Sequence, residues 1–174
     1  PTDLKVSDEV VLQVDKLSSK GLFQDVSFSL KRGEVLGIAG MLGAGRSELL
    51  RSIFGADPFD SGEIYMSGKK ILYPEPFAKA FITQEMEKAF TKEQIQSVEI
   101  KFSSEEDLIS SLSGGNQQKV VIGNWLNTKP QIVFFDEPSR GIDVNAKQQI
   151  FQIMWDLSRD NLSCVFVSTE LEEI

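Results

Sequence analysis

The chain has 174 residues, 41% of them hydrophobic, and a formal net charge of −8; this length and composition fit one domain with a packed core. The negative charge argues against a nucleic-acid surface, and no apolar run approaches the ~20 residues of a membrane-spanning helix. A single cysteine, Cys164, excludes an internal disulfide and favours a reducing, cytoplasmic setting, while the absence of histidine removes the commonest general base.

The hydrophobic pattern predicts short strands separated by turns in the first half of the chain. Apolar alternation or apolar runs place these strands at 10–14, 26–30, 35–39, 62–67, 70–72 and 77–82. Gly68 separates two of them and predicts an edge hairpin. Residues 85–112 are polar, and we expect helix there at most.

The second half of the chain alternates helical and strand patterns. Apolar residues recur at helical spacing over 117–127 and 146–157, and apolar runs predict buried strands at 132–135 and 162–167. This alternation predicts an α/β fold, with a mostly parallel sheet flanked by helices and an antiparallel β subdomain early in the chain. Ligands in such folds bind at the carboxyl ends of the parallel strands.

The segment Gly40–Ser47 follows the strand at 35–39 and precedes a predicted helix at 48–54, which is the context of a phosphate-binding loop. Its glycines leave backbone N–H groups free to surround phosphate, and the helix start adds positive potential. The loop departs from the usual G-x-x-x-x-G-K-[ST] pattern because Arg46 stands where lysine is expected. Ser47 is placed to ligate Mg²⁺. The simpler alternative is a glycine turn of the kind found in any α/β protein. The predicted nucleotide-binding residues of this loop are Gly40, Gly43, Ala44, Gly45, Arg46 and Ser47.

Two carboxylates, Asp136 and Glu137, end the buried strand at 132–135. Asp136 is predicted to hold Mg²⁺ through its water shell, and Glu137 to polarise an attacking water. The loop Gly40–Ser47 also follows a strand, so the two segments are expected at one site. The alternative is a pair of solvated acids that merely cap a strand.

A second helix start, Leu112–Gln118, predicts another anion site. Ser113 is a good helix cap, and Gly114 and Gly115 expose backbone N–H groups that suit a γ-phosphate. The alternative is an ordinary helix start in which the glycines only make the backbone more flexible.

From about residue 10 to the end, these motifs resemble the nucleotide-binding domain of an ABC ATPase, a P-loop NTPase. The loop Gly40–Ser47 resembles Walker A, Leu112–Gln118 the signature motif and Ile132–Asp136 Walker B; Arg140–Asp143 resembles the D-loop, and Gln84 stands at the Q-loop glutamine. The resemblance implies ATP and Mg²⁺ as cofactors.

Family roles follow for individual residues. The resemblance implies Ser47, Gln84 and Asp136 as metal ligands, Glu137 and Gln84 as catalytic residues, and Thr169 in the catalytic switch-histidine position. It also implies that the nucleotide-binding set includes four signature residues, Ser113, Gly114, Gly115 and Gln117.

Finer details resemble one subgroup, the second cassette of tandem-cassette subunits in bacterial monosaccharide importers of the ribose, galactose and xylose types. These details are Arg46, the Asn-Gln-Gln at 116–118 and the Ser-Arg-Gly-Ile-Asp-Val at 139–144. The implied partners are the first ATP-binding cassette of the same subunit, a transmembrane permease and, indirectly, a sugar-binding protein, with no nucleic acid. The implied location is cytoplasmic, peripheral on the inner face of the cell membrane.

The chain also departs from the family pattern. Phe23 is the nearest aromatic candidate for stacking on adenine. Thr169 is shorter than the family's histidine and uncharged, so we expect its hydroxyl not to reach the γ-phosphate, the attacking water and Glu137, which predicts slow turnover. Only 28 residues, 85–112, separate Gln84 from Ser113. We therefore expect residues 1–174 to form one nucleotide-binding domain from a longer tandem-cassette subunit, with 85–112 as the remnant of a truncated helical subdomain.

Three functions remain open from the sequence. The first is an ATP-hydrolysing cassette that energises monosaccharide import. The second is a regulatory cassette that binds nucleotide without turning it over, which the absent histidine favours. The third, a soluble ABC ATPase acting on nucleic acid, is disfavoured by the net charge.

Overall fold

The computed structural model describes residues 6–41, 43–71 and 109–173. Its strands are β1 Val10–Ser19, β2 Phe23–Lys31, β3 Val35–Ala39, β4 Ser61–Met66, β5 Lys69–Lys70, β6 Ile132–Asp136 and β7 Ser163–Ser168. Its α-helices are α1 Arg46–Phe54, α2 Gly114–Leu126 and α3 Val144–Arg159, with 3₁₀ turns at Ile109–Ser111 and Leu171–Glu173. The predicted strand at 77–82 and most of the polar segment 85–112 lie outside the described residues.

The chain divides into two compact units. The described part of the first unit comprises 6–71 without residue 42, 131–137 and 154–173; that of the second comprises 109–130 and 138–153. Among the described residues, no helix has the length and apolar character needed to span a membrane.

An antiparallel sheet in the first unit has the strand order β2-β1-β4-β5. The sequence predicted only 10–14 as the first strand, but β1 continues to Ser19. Lys16 adopts a positive φ of 46°, and the register shifts between Val14 and Leu17. This bulge resets the alternation so that Leu17 returns to the core with no exposed surface. The sequence pattern does not predict such a bulge, because the extra residue interrupts the alternation of apolar and polar residues along the strand.

A parallel sheet in the same unit has the order β3-β7-β6, which confirms the predicted parallel strands. The central strand β7 is buried along its whole length, and burial raises the pKa of its Cys164 thiol to about 12. In the register, Ala39 pairs with Ser168 and Asp136 pairs with Val167. The carboxyl ends of the three strands therefore lie side by side, and each leads directly into a predicted site segment.

One hydrophobic core joins both sheets to helix α1. Leu49, Leu50 and Ile53 of α1 are each at most 6% exposed. The helix ends at Gly55, whose left-handed conformation lets its N–H reach the carbonyls of Arg51 and Ser52. Helix α1 is thus fixed by packing and by its C-terminal cap, which holds its N-terminus at the edge of the parallel sheet.

The second unit contains α2 and the start of α3. The backbone N–H of Ala146 donates to the Asp143 carboxylate at 2.9 Å, which caps the first turn of α3. Gly115 of α2 packs so closely on Ala146 that an added Cβ would lie 2.7 Å from the Ala146 Cβ. Glycine at 115 is therefore required by helix packing.

Candidate functional site

The loop between β3 and α1 has the geometry of a phosphate-binding loop. Gly43 and Gly45 have φ values of 80° and 75°, in the left-handed region that favours glycine. A Cβ on Gly45 would lie 2.2 Å from the Leu22 carbonyl oxygen, so the loop passes tightly against the β1–β2 turn. Gly45 caps α1 without any side-chain hydrogen bond, which leaves the first N–H groups of the helix available to a ligand.

Arg46 is almost buried, with 8% of its side chain exposed. Its Nη2 lies 3.0 Å from Glu137 Oε1, and its Nη1 donates to the Ser168 carbonyl oxygen. Its stem runs beside Gly40, where an added Cβ would lie 3.1 Å from the Arg46 Cδ. The guanidinium therefore connects the loop to the ends of β6 and β7.

The Nε of Arg46 is buried and has no hydrogen-bond partner within the described parts of the chain. A buried unsatisfied donor is costly, so such groups commonly mark the position of a missing ligand. The donor lies beside Gly40, where the loop is expected to hold phosphate. This observation fits a bound anionic ligand.

Ser47 and Asp136 meet across the site, with Ser47 Oγ donating to Asp136 Oδ1 at 2.8 Å. A hydroxyl and a carboxylate are oxygen ligands of the kind Mg²⁺ binds together with substrate phosphates and water. Among the described residues, no group of three or more acidic, histidine or cysteine side chains could hold a metal by itself. The pair thus fits a Mg²⁺ ion that depends on a phosphate ligand.

Glu137, which follows Asp136 directly, adopts a positive backbone φ of 48°. Such a conformation in a non-glycine residue is costly and occurs mainly where function or surrounding structure requires it. Its side chain is 17% exposed, with Oε1 at Arg46 and Oε2 accepting from Thr169 Oγ1 at 3.2 Å and Thr169 N at 3.3 Å. The two neighbouring acids therefore have separate partners, as the sequence predicted.

The expectation that Thr169 is too short to reach Glu137 is wrong. The hydroxyl makes the contact because Asp136 pairs with Val167, so the residues just beyond β6 and β7 are neighbours. The sequence also missed Ser168 as a member of the site. Its carbonyl accepts from Arg46, and its Oγ accepts from the Glu170 N–H at 3.0 Å. Its only sequence signal was its place immediately before Thr169.

The predicted signature segment lies in the second unit. Ser113 Oγ accepts from the Asn116 N–H at 3.4 Å, which confirms Ser113 as a helix cap. Gln117 Nε2 donates to the Leu112 carbonyl at 2.8 Å, and Gly114 is exposed. Gly115 is buried against Ala146, so exposure of backbone to an anion does not explain that glycine. Roles for these residues toward nucleotide stay predictions, and Gln84 lies outside the described residues.

Comparison with known proteins identifies the family. A family profile described as ABC transporter matches residues 23–140, more than half of the chain. The chain belongs to the ABC transporter family of ATP-binding domains. The match covers both the phosphate loop and the acidic strand end, so the family resemblance inferred from the motifs is confirmed.

Relatives of this ABC domain include a ribose import ATP-binding protein of Oceanobacillus iheyensis, 38% identical over 94% of this chain and 41% of its own length. A putative ribose/galactose/methyl galactoside import ATP-binding protein of Pseudomonas syringae is 35% identical over 100% of this chain and 40% of its own length. The chain thus spans about two fifths of the length of these relatives.

Solved ABC cassettes share the fold. A nucleotide-free ATP-binding cassette from an ABC transporter matches with a TM-score of 0.81 and 21% identity, over 94% of this chain and 83% of the other. A dimeric bacterial ABC transporter cassette matches with a TM-score of 0.78 and 20% identity, over 92% and 89%. These likenesses confirm the predicted α/β P-loop fold.

Proposed function

We propose that this chain is the second ATP-binding cassette of a tandem-cassette subunit that energises monosaccharide import. The observation that carries the proposal is the meeting of the loop Gly40–Ser47, the acids Asp136 and Glu137, and Thr169 at three adjacent strand ends. The names of the relatives support sugar import, and Arg46 in place of lysine supports the second-cassette assignment.

In this proposal the loop binds the nucleotide through its own donors. Backbone N–H groups at the start of α1 and the guanidinium of Arg46 bind the phosphates. Ser47 and Asp136 would hold Mg²⁺, which would supply charge neutralisation for the bound phosphates. The buried unpaired Nε of Arg46 supports this assignment, because a phosphate oxygen would satisfy it.

Base binding is assigned to the β1–β2 turn. Phe23, Leu22 and Gln24 line a cleft of about 850 Å³, and Leu22 also touches Gly45 of the phosphate loop. An adenine beside this turn would contact apolar side chains without the strong aromatic stacking of a tyrosine. We therefore propose that the phosphates supply most of the binding free energy.

Glu137 acts as the general base in this proposal. It orients the attacking water and accepts its proton as the water oxygen bonds to the γ-phosphorus and ADP leaves. Thr169 holds Oε2 of this carboxylate through its hydroxyl and its backbone N–H. A neutral hydroxyl replaces the family histidine, so turnover is expected to be slow.

The same proposal covers the partners. Ser113–Gln118 completes a nucleotide site on the first cassette of the same subunit, and the assembly acts beneath a membrane permease fed by a sugar-binding protein. The subunit is then cytoplasmic and peripheral on the inner membrane face, with no nucleic-acid partner. The short separation of Gln84 from Ser113 supports a shortened helical subdomain at 85–112.

A second candidate is a regulatory cassette that binds nucleotide without hydrolysing it. The ion pair between Arg46 and Glu137 favours this candidate, because a cation already occupies one oxygen of the proposed base. Turnover decides between the two functions.

The test is phosphate release from Mg-ATP by this chain and its variants. We expect slow release that Glu137→Gln removes and that Glu48→Gln, a matched loss of one carboxylate from the first turn of α1, leaves unchanged. Thr169→Val should lower the rate about 2–10-fold, the contribution of one hydrogen bond, and Thr169→Ser should preserve it. Undiminished release by Glu137→Gln would contradict the mechanism. Tight binding without any release would favour the regulatory function.

A further inference from the structure

The guanidinium of Arg46 contacts two acceptors of the protein itself, although the proposed function assigns it to phosphate. Its Nη2 pairs with Glu137 Oε1 at 3.0 Å, its Nη1 donates to the Ser168 carbonyl, and its Nε remains without a partner in the described structure. A guanidinium presents its donors in a rigid planar fork, so it can connect acceptors that lie in different directions. The ammonium of lysine is a compact point charge without such a fork.

The two oxygens of Glu137 are held by different groups. Oε2 accepts from Thr169, and Oε1 is paired with the cation of Arg46. Both partners of the ion pair are largely buried, with 8% and 17% of their side chains exposed, so solvent screens the pair little. The lone pair of Oε1 that faces the guanidinium is therefore not available to a water molecule.

We propose that Arg46 is a positioning residue that exchanges partners, holding Glu137 Oε1 before nucleotide binds and transferring its Nη2 to phosphate afterwards. Nucleotide binding thereby frees Oε1, while Thr169 keeps the carboxylate in place through Oε2. The base becomes competent only when phosphate is present. This inference rests on the proposed function, because it requires that phosphate binds beside Arg46.

The competition predicts an unusual result for a catalytic carboxylate. Nucleotide must displace Glu137 from Arg46, so removing the carboxylate charge should strengthen nucleotide binding. ADP is the suitable ligand because its affinity does not depend on hydrolysis. We expect Glu137→Gln to bind ADP about tenfold more tightly than the original chain, the lower end of the worth of a charge-assisted hydrogen bond.

A double-mutant cycle tests whether Arg46 carries this gain. Calorimetric titration of ADP is compared in the original chain, Glu137→Gln, Arg46→Ala and the double variant. In the Arg46→Ala background, Glu137→Gln should change the affinity less than about twofold, because no guanidinium remains to be released. If Arg46→Ala does not fold, Arg46→Gln replaces it, and the gain should again fall below about twofold because a neutral amide forms no ion pair with Glu137.

Glu48→Gln is the matched control, since it removes one carboxylate from the first turn of α1 without altering the Arg46–Glu137 pair. It should change ADP affinity less than about twofold. An equal gain in ADP affinity in Glu48→Gln, or on adding Glu137→Gln to Arg46→Ala, would show that loss of any negative charge strengthens binding. Either result would overturn the inference. Unchanged or weaker binding by Glu137→Gln would overturn it too. If the original chain fails to bind ADP, the proposed function itself is wrong.

Discussion

Two glycine-rich helix starts in this protein look alike in sequence and differ in physical role. Helix α1 begins after Gly45, which is left-handed, and no side chain caps its first N–H groups. Helix α2 begins after Ser113, whose hydroxyl accepts from the Asn116 N–H, and its Gly115 packs against Ala146. The first N–H groups of α1 are thus all left without a side-chain cap, whereas one N–H group of α2 is capped and one of its glycines serves helix packing.

Among the glycines of the two helix starts, Gly45 should be the one whose substitution lowers the unfolding free energy most. Gly45→Ala combines a left-handed backbone with a Cβ 2.2 Å from the Leu22 carbonyl, and should reduce the unfolding free energy by more than about 3 kcal/mol. Gly43→Ala has the same handedness with no atom within 4 Å of the new Cβ, and should cost about 1–2 kcal/mol. Urea unfolding of both variants measures the difference. Equal losses would show that the tight passage against Leu22 is unimportant.

Substitution of Ser113 should strongly reduce ATP hydrolysis, but only in the tandem-cassette subunit. In the isolated chain, Ser113→Arg should change Mg-ATP affinity less than about twofold, because the proposed function assigns Ser113 to the nucleotide of the other cassette. In the tandem subunit the same change should reduce ATP hydrolysis more than about tenfold, since a bulky cation fills a γ-phosphate pocket built on charge-assisted contacts. Equal loss of binding by the isolated chain would place Ser113 in the same site as Arg46.

A moderate effect on stability without loss of binding is expected at Gly115. Gly115→Ala brings its Cβ within 2.7 Å of the Ala146 Cβ and should cost about 1–3 kcal/mol of unfolding free energy. In Gly114→Ala the nearest atom to the new Cβ is Ile142 Cγ2 at 3.7 Å. This change should be neutral or stabilise the protein by up to about 1 kcal/mol. The double variant Gly115→Ala, Ala146→Gly should recover part of the loss. If Gly115→Ala is fully folded but no longer binds Mg-ATP, a role of Gly115 in packing alone would be contradicted.

Local signals predicted most of the fold. The runs Val35–Ala39 and Ile132–Asp136 were located correctly because strands of a parallel sheet are commonly continuous apolar segments. Their predicted full burial is wrong, since most residues of both strands are only partly buried. The extension of β1 past Lys16 was missed because a bulge hides the alternation. Strand ends that come together across the sheet can be expected from topology, so Ser47 and Asp136 were predicted as neighbours.

Contacts between distant segments could not be predicted in the same way. The pairing of Arg46 with Glu137 and the reach of Thr169 depend on strand register to within one residue, which the sequence does not specify. The tight packing of Gly115 depends on how two helices approach, which a single helix pattern does not contain. Residue types were therefore identified more readily than their partners.

The central claim is that the open helix start at Gly40–Ser47, with Arg46, binds Mg-ATP. Calorimetric titration of Mg-ATP into the original chain, Arg46→Ala and the control Arg51→Ala tests it most directly. Arg51 lies on the same helix and pairs with Asp57, so its removal subtracts the same charge outside the loop. We predict about 10–100-fold weaker binding by Arg46→Ala, the range expected for charge-assisted hydrogen bonds, and little change in Arg51→Ala. Equal Mg-ATP affinity in all three proteins would contradict the account.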